Sequence, residues 1–263
     1  MQDRIATAFA RASSEGRPAL MPYVTAGDPD GTTLDELILS LSGAGADVIE
    51  IGVPFSDPIA DGPVIASAMY RALARGTTPA DVFRAVAAVR DRTEAALVAM
   101  VSDSIVMHRG RERFVSEAAT AGLDGLIIPD TDTDRLDELA AACTAHGIAF
   151  VPLIAPTSSR DRQERLLRHA AGFVYLLARA GVTGMRDDAP EIDERVATLR
   201  GLTELPIGVG FGISSADHVR AVGRSADGAI IGSALVQSLH EAAEAGEDVI
   251  ERARRFVGAL TSS

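Results

Sequence analysis

The sequence is poor in the residues that form disulfides, bind metals through sulfur or stack on nucleic-acid bases. Its 263 residues include one cysteine and no tryptophan, and aromatic residues make up only 4%. Because Cys143 is alone, a disulfide framework and a thiolate metal site are both excluded. Cys143 falls in a helical pattern, so we expect a packed thiol there rather than a nucleophile.

Positive charge and long apolar runs are also scarce. The formal net charge is −12 at pH 7 and the sequence isoelectric point is near 4.8, which argues against nucleic acid and anionic membranes as partners. No run approaches the about 18 apolar residues of a membrane span. The first residues lack the apolar core of a signal peptide, so we expect a protein of the reducing cytoplasm.

Hydrophobic residues make up 47% of the chain, and their dominance by Ala, Val, Leu and Ile suits a parallel sheet covered by helices. Strand and helix patterns alternate in eight units, with an extra N-terminal helix at Arg4–Ser14 and an extra helix over 64–74, after strand two. Eight units in about 250 residues predict an α/β fold, a (β/α)₈ TIM barrel, as a single domain over 1–263. The alternative is a doubly wound open sheet, but the first turn, TAGDPDG, is a poor phosphate cradle. The predicted strands are 19–24, 48–51, 95–101, 124–129, 148–154, 173–177, 207–209 and 228–231.

Two carboxylates stand out in the stretch VIEIGVPFSDPIADGP, residues 48–63. Glu50 lies inside a β-branched run that predicts a buried strand, and Asp61 lies on the polar loop that leaves it. Burial raises the pKa of an unpaired carboxyl group, so two carboxyls in such different surroundings can divide acid and base roles. The alternatives are a salt-bridged structural role for Glu50 and a helix cap for Asp61.

Glycine-rich turns follow the last two predicted strands. VGFGISS (209–215) and IGSA (231–234) each end a strand and open a helix. Glycines let backbone N–H groups approach a ligand closely, and barrels often hold a phosphate between these two loops. No lysine occurs among the residues at the predicted strand ends, so the amides would bind phosphate without a cation. The alternative is that these glycines only form tight turns.

With these residues assembled, the chain closely resembles the alpha subunit family of tryptophan synthase. The resemblance is carried by PYVTAGDPD (22–30), IEIGVPFSDPIADGP (49–63), VYLLARAGVTG (174–184), VGFGISS (209–215) and IIGSALV (230–236). These motifs span most of the chain in the order and spacing of the family, and the second is close to a family signature.

The resemblance implies a lyase that cleaves indole-3-glycerol phosphate to indole and glyceraldehyde 3-phosphate with no cofactor and no metal. It implies that Glu50 is the acid and base that protonates C3 of the indole ring and handles the side-chain hydroxyl proton. Asp61 is implied to stabilise positive charge on the indole nitrogen and take its proton. The implied substrate-binding residues are Tyr23, Met100, Tyr175, Thr183 and Phe211, and the implied phosphate-binding residues are Gly184, Gly212, Gly232 and Ser233.

The chain departs from the family pattern at the loops that, in the family, help to contact the beta subunit. Residues 100–105 read MVSDSI where the family has close to Met-Thr-Tyr-Tyr-Asn-Pro, residues 130–132 read DTD in place of Asp-Leu-Pro, and Ala66 replaces a usual glutamine. Drift within a retained complex with a beta subunit is one explanation. A stand-alone indole-releasing lyase, or one with an unusual partner, is the other.

Two further function classes remain as alternatives to this lyase. A non-catalytic binding subunit would keep the barrel and the phosphate site, but retention of both Glu50 and Asp61 argues against it. An isomerase or epimerase acting on a sugar phosphate would typically need a metal, a lysine or paired acids at other strand ends. The sequence favours the lyase.

Overall fold

The structure is a computed structural model that describes residues 3–58, 61–178, 189–210 and 212–261. Within these residues, nine parallel strands form one sheet in the order β5-β4-β3-β2-β1-β9-β8-β7-β6. The strands are β1 Ala19–Thr25, β2 Val48–Gly52, β3 Ala96–Met100, β4 Gly125–Ile127, β5 Ala149–Val151, β6 Leu153–Ile154, β7 Val174–Leu177, β8 Ile207–Gly210 and β9 Gly228–Ile231.

The two outermost strands of this order, β5 and β6, are separated in the chain by Pro152 alone. β5 pairs with β4, β6 pairs with β7, and the carbonyl oxygen of Pro152 accepts a hydrogen bond from the N–H of Tyr175 at 2.9 Å. A proline has no N–H to donate to a ladder, so it interrupts the predicted fifth strand. The sheet closes through this strand, and the predicted TIM barrel is confirmed.

Helices surround the barrel, and their bounds follow the predicted units closely. The helices are α1 Arg4–Ser14, α2 Leu34–Gly43, α3 Pro63–Ala74, α4 Pro79–Val89, α5 Asp103–Arg109, α6 Arg111–Ala121, α7 Leu136–His146, α8 Arg160–Leu167, α9 Ala189–Arg200, α10 Ala216–Val222, α11 Ser233–Glu244 and α12 Val249–Thr261. The extra helices expected before strand one and after strand two are α1 and α3. None of the helices in the described part of the chain is long and apolar enough to cross a membrane.

Two details of the helix prediction are wrong. The loop after β3 contains α5, which begins after Ser102, whose hydroxyl accepts from the N–H of Ser104. The helical pattern of residues 235–260 predicts a single closing helix, but the structure has two, because the chain between α11 and α12 passes through Gly246 at φ +68°. A left-handed residue ends an α-helix, and glycine adopts it without steric cost.

Helix α1 covers the end of the barrel where the strands begin. Its Ile5 and Phe9 are buried with the inward-facing residues of the strands, and a Cβ on Gly228 would lie 3.1 Å from the Phe9 ring. The helix is tied down by Asp47, whose side chain is fully buried and accepts from Arg11 at 2.7 Å and from the N–H of Leu20 at 2.8 Å. With this end covered, the strand carboxyl ends form the open mouth of the barrel.

Candidate active site

Glu50 lies in the middle of β2 and points into the barrel near its mouth. It is 1% exposed, and its Cα is in register with Tyr23 of β1 and Val98 of β3. Neither carboxylate oxygen has a hydrogen-bond partner among the described residues. Burial, and secondarily the charge of Asp61, raises the pKa of Glu50 to about 8. The side chain is therefore a protonated acid at neutral pH, and the salt-bridged alternative is wrong for the described residues.

Asp61 lies on the loop between β2 and α3, and its N–H donates to the carbonyl of Pro58 at 3.1 Å. The N-cap of α3 is Gly62, and no side-chain cap bond is made there. The alternative that Asp61 caps the helix is thus wrong. Burial also raises the pKa of Asp61, but its side chain stays partly exposed. Its charge contributes to raising the pKa of Glu50, so the structure brings these two carboxyl groups together.

Two tyrosines point inward beside Glu50. A Cβ on Gly52 would lie 1.9 Å from the hydroxyl of Tyr23, and one on Gly210 would lie 2.7 Å from the hydroxyl of Tyr175. Each ring therefore occupies space that only glycine leaves on the neighbouring strand. Burial is the main cause that raises the pKa of both phenols, and the charge of Glu50 contributes to both. They remain neutral phenols at physiological pH.

Met100 ends β3 and packs against an apolar cluster around Tyr23. The cluster includes Ile65 and Met69 from α3 and Val236 from α11, with Phe55 and Val64 at its edge. Tyr23 and Met100 were expected from the sequence as substrate-binding residues, whereas the helical members of the cluster were not. For Ile65 and Met69, the position directly after the Asp61 motif was the available signal.

The glycine turns after β8 and β9 leave open space. Gly212 has φ +39°, and among the described residues no heavy atom lies within 4 Å of where its Cβ would be. A Cβ on Gly232 would meet Tyr23 at 3.9 Å and nothing nearer in the described part of the chain, and Gly232 caps α11, which begins at Ser233. The first turn of a helix presents unpaired amides, which bind anions. The predicted Thr183, Gly184 and Phe211 lie outside the described residues.

The guanidinium of Arg195 lies at this edge of the barrel, and the sequence alone did not predict it there. Arg195 of α9 donates from Nη1 to the carbonyl oxygens of Leu177 at 2.9 Å and Ala178 at 3.0 Å. The charge was overlooked because a residue in the middle of a helix pattern carries no sequence signal for contact with a strand end. The chain has no lysine, so its side chains cannot form an imine with a carbonyl substrate.

Two other acidic residues at the strand ends, Asp28 and Asp130, are already hydrogen-bonded. Asp28, after β1, is buried and receives two hydrogen bonds from Arg71 of α3, at 2.7 and 2.8 Å. Asp130, after β4, accepts from the Ser102 hydroxyl at 2.7 Å and from the N–H of Asp103 at 2.8 Å. These two carboxylates hold loops in place, whereas the Glu50 carboxyl has no hydrogen-bond partner among the described residues. Among the described residues, no group of three or more His, Cys, Asp or Glu side chains could hold a metal ion.

Comparison with known proteins identifies the family. The family model described as tryptophan synthase alpha chain matches residues 9–263. The tryptophan synthase alpha chain of Halorhodospira halophila is 45% identical over 259 residues, which cover 98% of this chain and 94% of that one. The chain belongs to the tryptophan synthase alpha chain family. The alpha chain of Prochlorococcus marinus is 44% identical over 245 residues, covering 91% of this chain and 88% of that one.

Solved structures of the family share the fold. Tryptophan synthase subunit alpha from Legionella pneumophila superposes with a TM-score of 0.89 at 32% identity, covering 99% of this chain and 97% of that one. A chain of Mycobacterium tuberculosis tryptophan synthase superposes with a TM-score of 0.88 at 34% identity, covering 98% and 96%. The resemblance inferred from the motifs is confirmed, and with it the assignment of the chain to the lyases of tryptophan biosynthesis.

Proposed function

We propose that Glu50 and Asp61 carry out the cleavage of indole-3-glycerol phosphate to indole and glyceraldehyde 3-phosphate in this barrel. The observation that carries the proposal is a buried, unpartnered carboxylic acid with a pKa of about 8, influenced by the charge of a more exposed carboxylate. A general acid must keep its proton near neutral pH, and a charge stabiliser must lose it. Glu50 meets the first requirement, and the partial exposure of Asp61 favours the second.

In the proposed reaction, Glu50 donates its proton to C3 of the indole ring. Asp61 accepts a hydrogen bond from the ring N–H and stabilises the positive charge that protonation places on the ring. The carboxylate of Glu50 then takes the proton of the side-chain hydroxyl, and the hydroxyl carbon becomes an aldehyde as its bond to C3 breaks. The electrons of that bond return to the ring, so neutral indole leaves and Glu50 is protonated again.

The proposed substrate spans the mouth of the barrel. The indole ring would lie near Tyr23 and Met100, with Phe211 as a further wall, and Tyr175 would lie beside the glycerol portion with Thr183. The phosphate would bind at Gly212, Gly232, Ser233 and Gly184. Support comes from the open space at the two described glycines and from the helix that begins at Ser233, whose first amides favour an anion.

The test is release of indole from indole-3-glycerol phosphate by the purified chain and its variants. Glu50→Gln removes the donated proton with almost no change of shape, and we expect activity to fall by at least about a thousandfold. Asp61→Asn should fall similarly, because an amide cannot carry the negative charge. Glu94→Gln, the same change at an exposed position, is the matched control. An inert wild type, or a fully active Glu50→Gln, would overturn the proposal.

We also propose that a tryptophan synthase beta subunit receives the indole and that the complex works in the cytoplasm. The relatives named above are alpha chains of tryptophan synthase, which supports coupling over stand-alone release. The altered loops are compatible with it because they are ordered by their own contacts. Asp130 accepts from the Ser102 hydroxyl at 2.7 Å, and Asp132 accepts from the N–H of Asp134 at 3.2 Å.

Co-purification with a beta subunit, together with indole release measured with and without it, separates the coupled enzyme from the stand-alone alternative. Binding and a faster rate in the complex are expected. A fast unaided rate without any binding would establish the stand-alone lyase instead.

A further inference from the structure

The half-buried guanidinium of Arg195 binds the strand end next to the proposed phosphate site. Its Nη1 donates to two consecutive carbonyl oxygens, those of Leu177, the last residue of β7, and Ala178. A hydrogen bond from a charged donor is roughly twice as strong as a neutral one. Arg195 therefore fixes the point at which the chain leaves β7.

The same point is joined to the two strands that lead to the glycine turns. Leu177 is in register with Gly210 of β8, and Gly210 is in register with Ile230 of β9. The N–H of Ala178 also donates to the carbonyl of Gly210 at 3.2 Å. Gly212 lies two residues after Gly210, and Gly232 lies two residues after Ile230. Displacement at the end of β7 would therefore reach both turns.

Arg195 also changes the electrostatics of this edge. The carboxyl ends of parallel strands present carbonyl oxygens, whose partial negative charge opposes a phosphate dianion. A guanidinium that holds two of these oxygens offsets their partial negative charge, and it stays protonated at all relevant pH values. Geometry and charge thus act in the same direction, toward a site that accepts a phosphate.

We propose that Arg195 is a positioning residue for the substrate phosphate, acting through the carbonyls of Leu177 and Ala178. The inference rests on the proposed function, because it concerns the same phosphate site. Arg195 is assigned no part in proton transfer. Its loss should weaken phosphate binding more than it slows the chemistry, which a merely structural role would not do.

The experiment compares Arg195→Met, Arg195→Lys and Arg195→Gln with wild type. For Arg195→Met we expect KM to rise about tenfold and the inhibition constant of inorganic phosphate to rise similarly, with kcat changed less than about threefold. Lysine keeps the charge and can donate to both carbonyls, so it should recover most of the loss. Glutamine keeps a donor without the charge and should recover less.

The control is Arg200→Met, in the same helix, because Arg200 pairs with Asp227 just before β9, at the opposite end of the barrel. It should leave KM and phosphate inhibition unchanged. Unchanged KM and phosphate inhibition in Arg195→Met would overturn the inference while leaving the lyase proposal intact. If Arg195→Met does not fold, lysine and glutamine variants that both match wild type would overturn it.

Inorganic phosphate also provides a readout that is independent of the lyase reaction. Phosphate should raise the melting temperature of wild type more than that of Arg195→Met. An equal rise would contradict the inference. If wild type released no indole, the proposed function would fail, whereas this comparison would still decide whether Arg195 supports an anion site.

Discussion

Replacing Glu50 by glutamine should change the free energy of unfolding, relative to wild type, increasingly in favour of the variant as the pH rises. The folded chain holds Glu50 with a pKa of about 8, against an ordinary value of 4.5. Between these values the folded state keeps a proton that the unfolded state releases, so wild-type stability falls as the pH increases. Glutamine carries no such proton. The difference between variant and wild type should therefore grow from acid to alkaline pH.

The magnitude follows from the two pKa values. The raised pKa lowers the free energy of unfolding of the wild type by about 1 kcal/mol at pH 5, about 3 kcal/mol at pH 7 and roughly 4 to 5 kcal/mol at pH 9. A glutamine amide without partners would add a cost of its own, but that cost does not change with pH. The pH dependence is therefore the diagnostic quantity.

The assay is urea unfolding of wild type and Glu50→Gln followed by circular dichroism at pH 5, 7 and 9, with linear extrapolation to water. Glu94→Gln again serves as the control, because its carboxyl is exposed and its stability difference should stay near zero throughout. A Glu50→Gln difference that is equal at pH 5 and pH 9 would refute the reasoning, since it would mean that Glu50 has an ordinary pKa in the folded chain.

Three further predictions concern Glu50, Gly52 and Asp47. Wild-type kcat/KM for indole release should fall above about pH 8, because Glu50 then loses the proton it must donate; a flat profile to pH 9.5 would contradict its role as the acid. Gly52→Ala should lower kcat/KM at least about tenfold, since its Cβ would lie 1.9 Å from the Tyr23 hydroxyl. The far-ultraviolet circular dichroism spectrum should be retained, and near-normal kinetics would show that the Tyr23 ring moves freely. Asp47→Ala should lower the free energy of unfolding by about 2 to 4 kcal/mol, because Arg11 and the N–H of Leu20 lose a buried partner. Chemical denaturation measures this free energy, and a loss below about 0.5 kcal/mol would contradict the importance of the contact.

Most of the barrel could be predicted because its strands are recognisable from their local sequence pattern. A buried parallel strand is a short apolar run, and a helix on its outer face shows apolar residues at helical spacing. Pro152 was visible in the sequence, but only the pairing of its neighbours shows that it divides a strand. The short helix Asp103–Arg109 was missed because its start depends on Asp130, which is 27 residues away from Asp103. The expectation of a single domain stays a prediction.

The two carboxyl groups of the candidate site could be proposed from the sequence for a different reason. A lone glutamate inside an apolar strand is costly, so its presence at Glu50 indicated a use, and the family motif indicated which use. Arg195 could not be found in this way, since an arginine in a helix is ordinary. Its meaning arises only where the helix folds back on the end of β7. Sequence reveals unusual residues in their local setting, whereas three-dimensional contacts reveal ordinary residues in unusual places.

The interruption at Pro152 leaves the barrel with short strand pairing at β5 and β6. Three register pairs join β4 to β5 and two join β6 to β7, whereas five join β2 to β3. Local opening of the sheet should therefore occur first at β5 and β6. In hydrogen exchange, the amides of Phe150, Val151 and Ile154 should take up deuterium before those of Ile49 and Ile51. Glu50 lies on β2, three strands away from β5 in the sheet order, so the barrel can open there without exposing the Glu50 carboxyl to water.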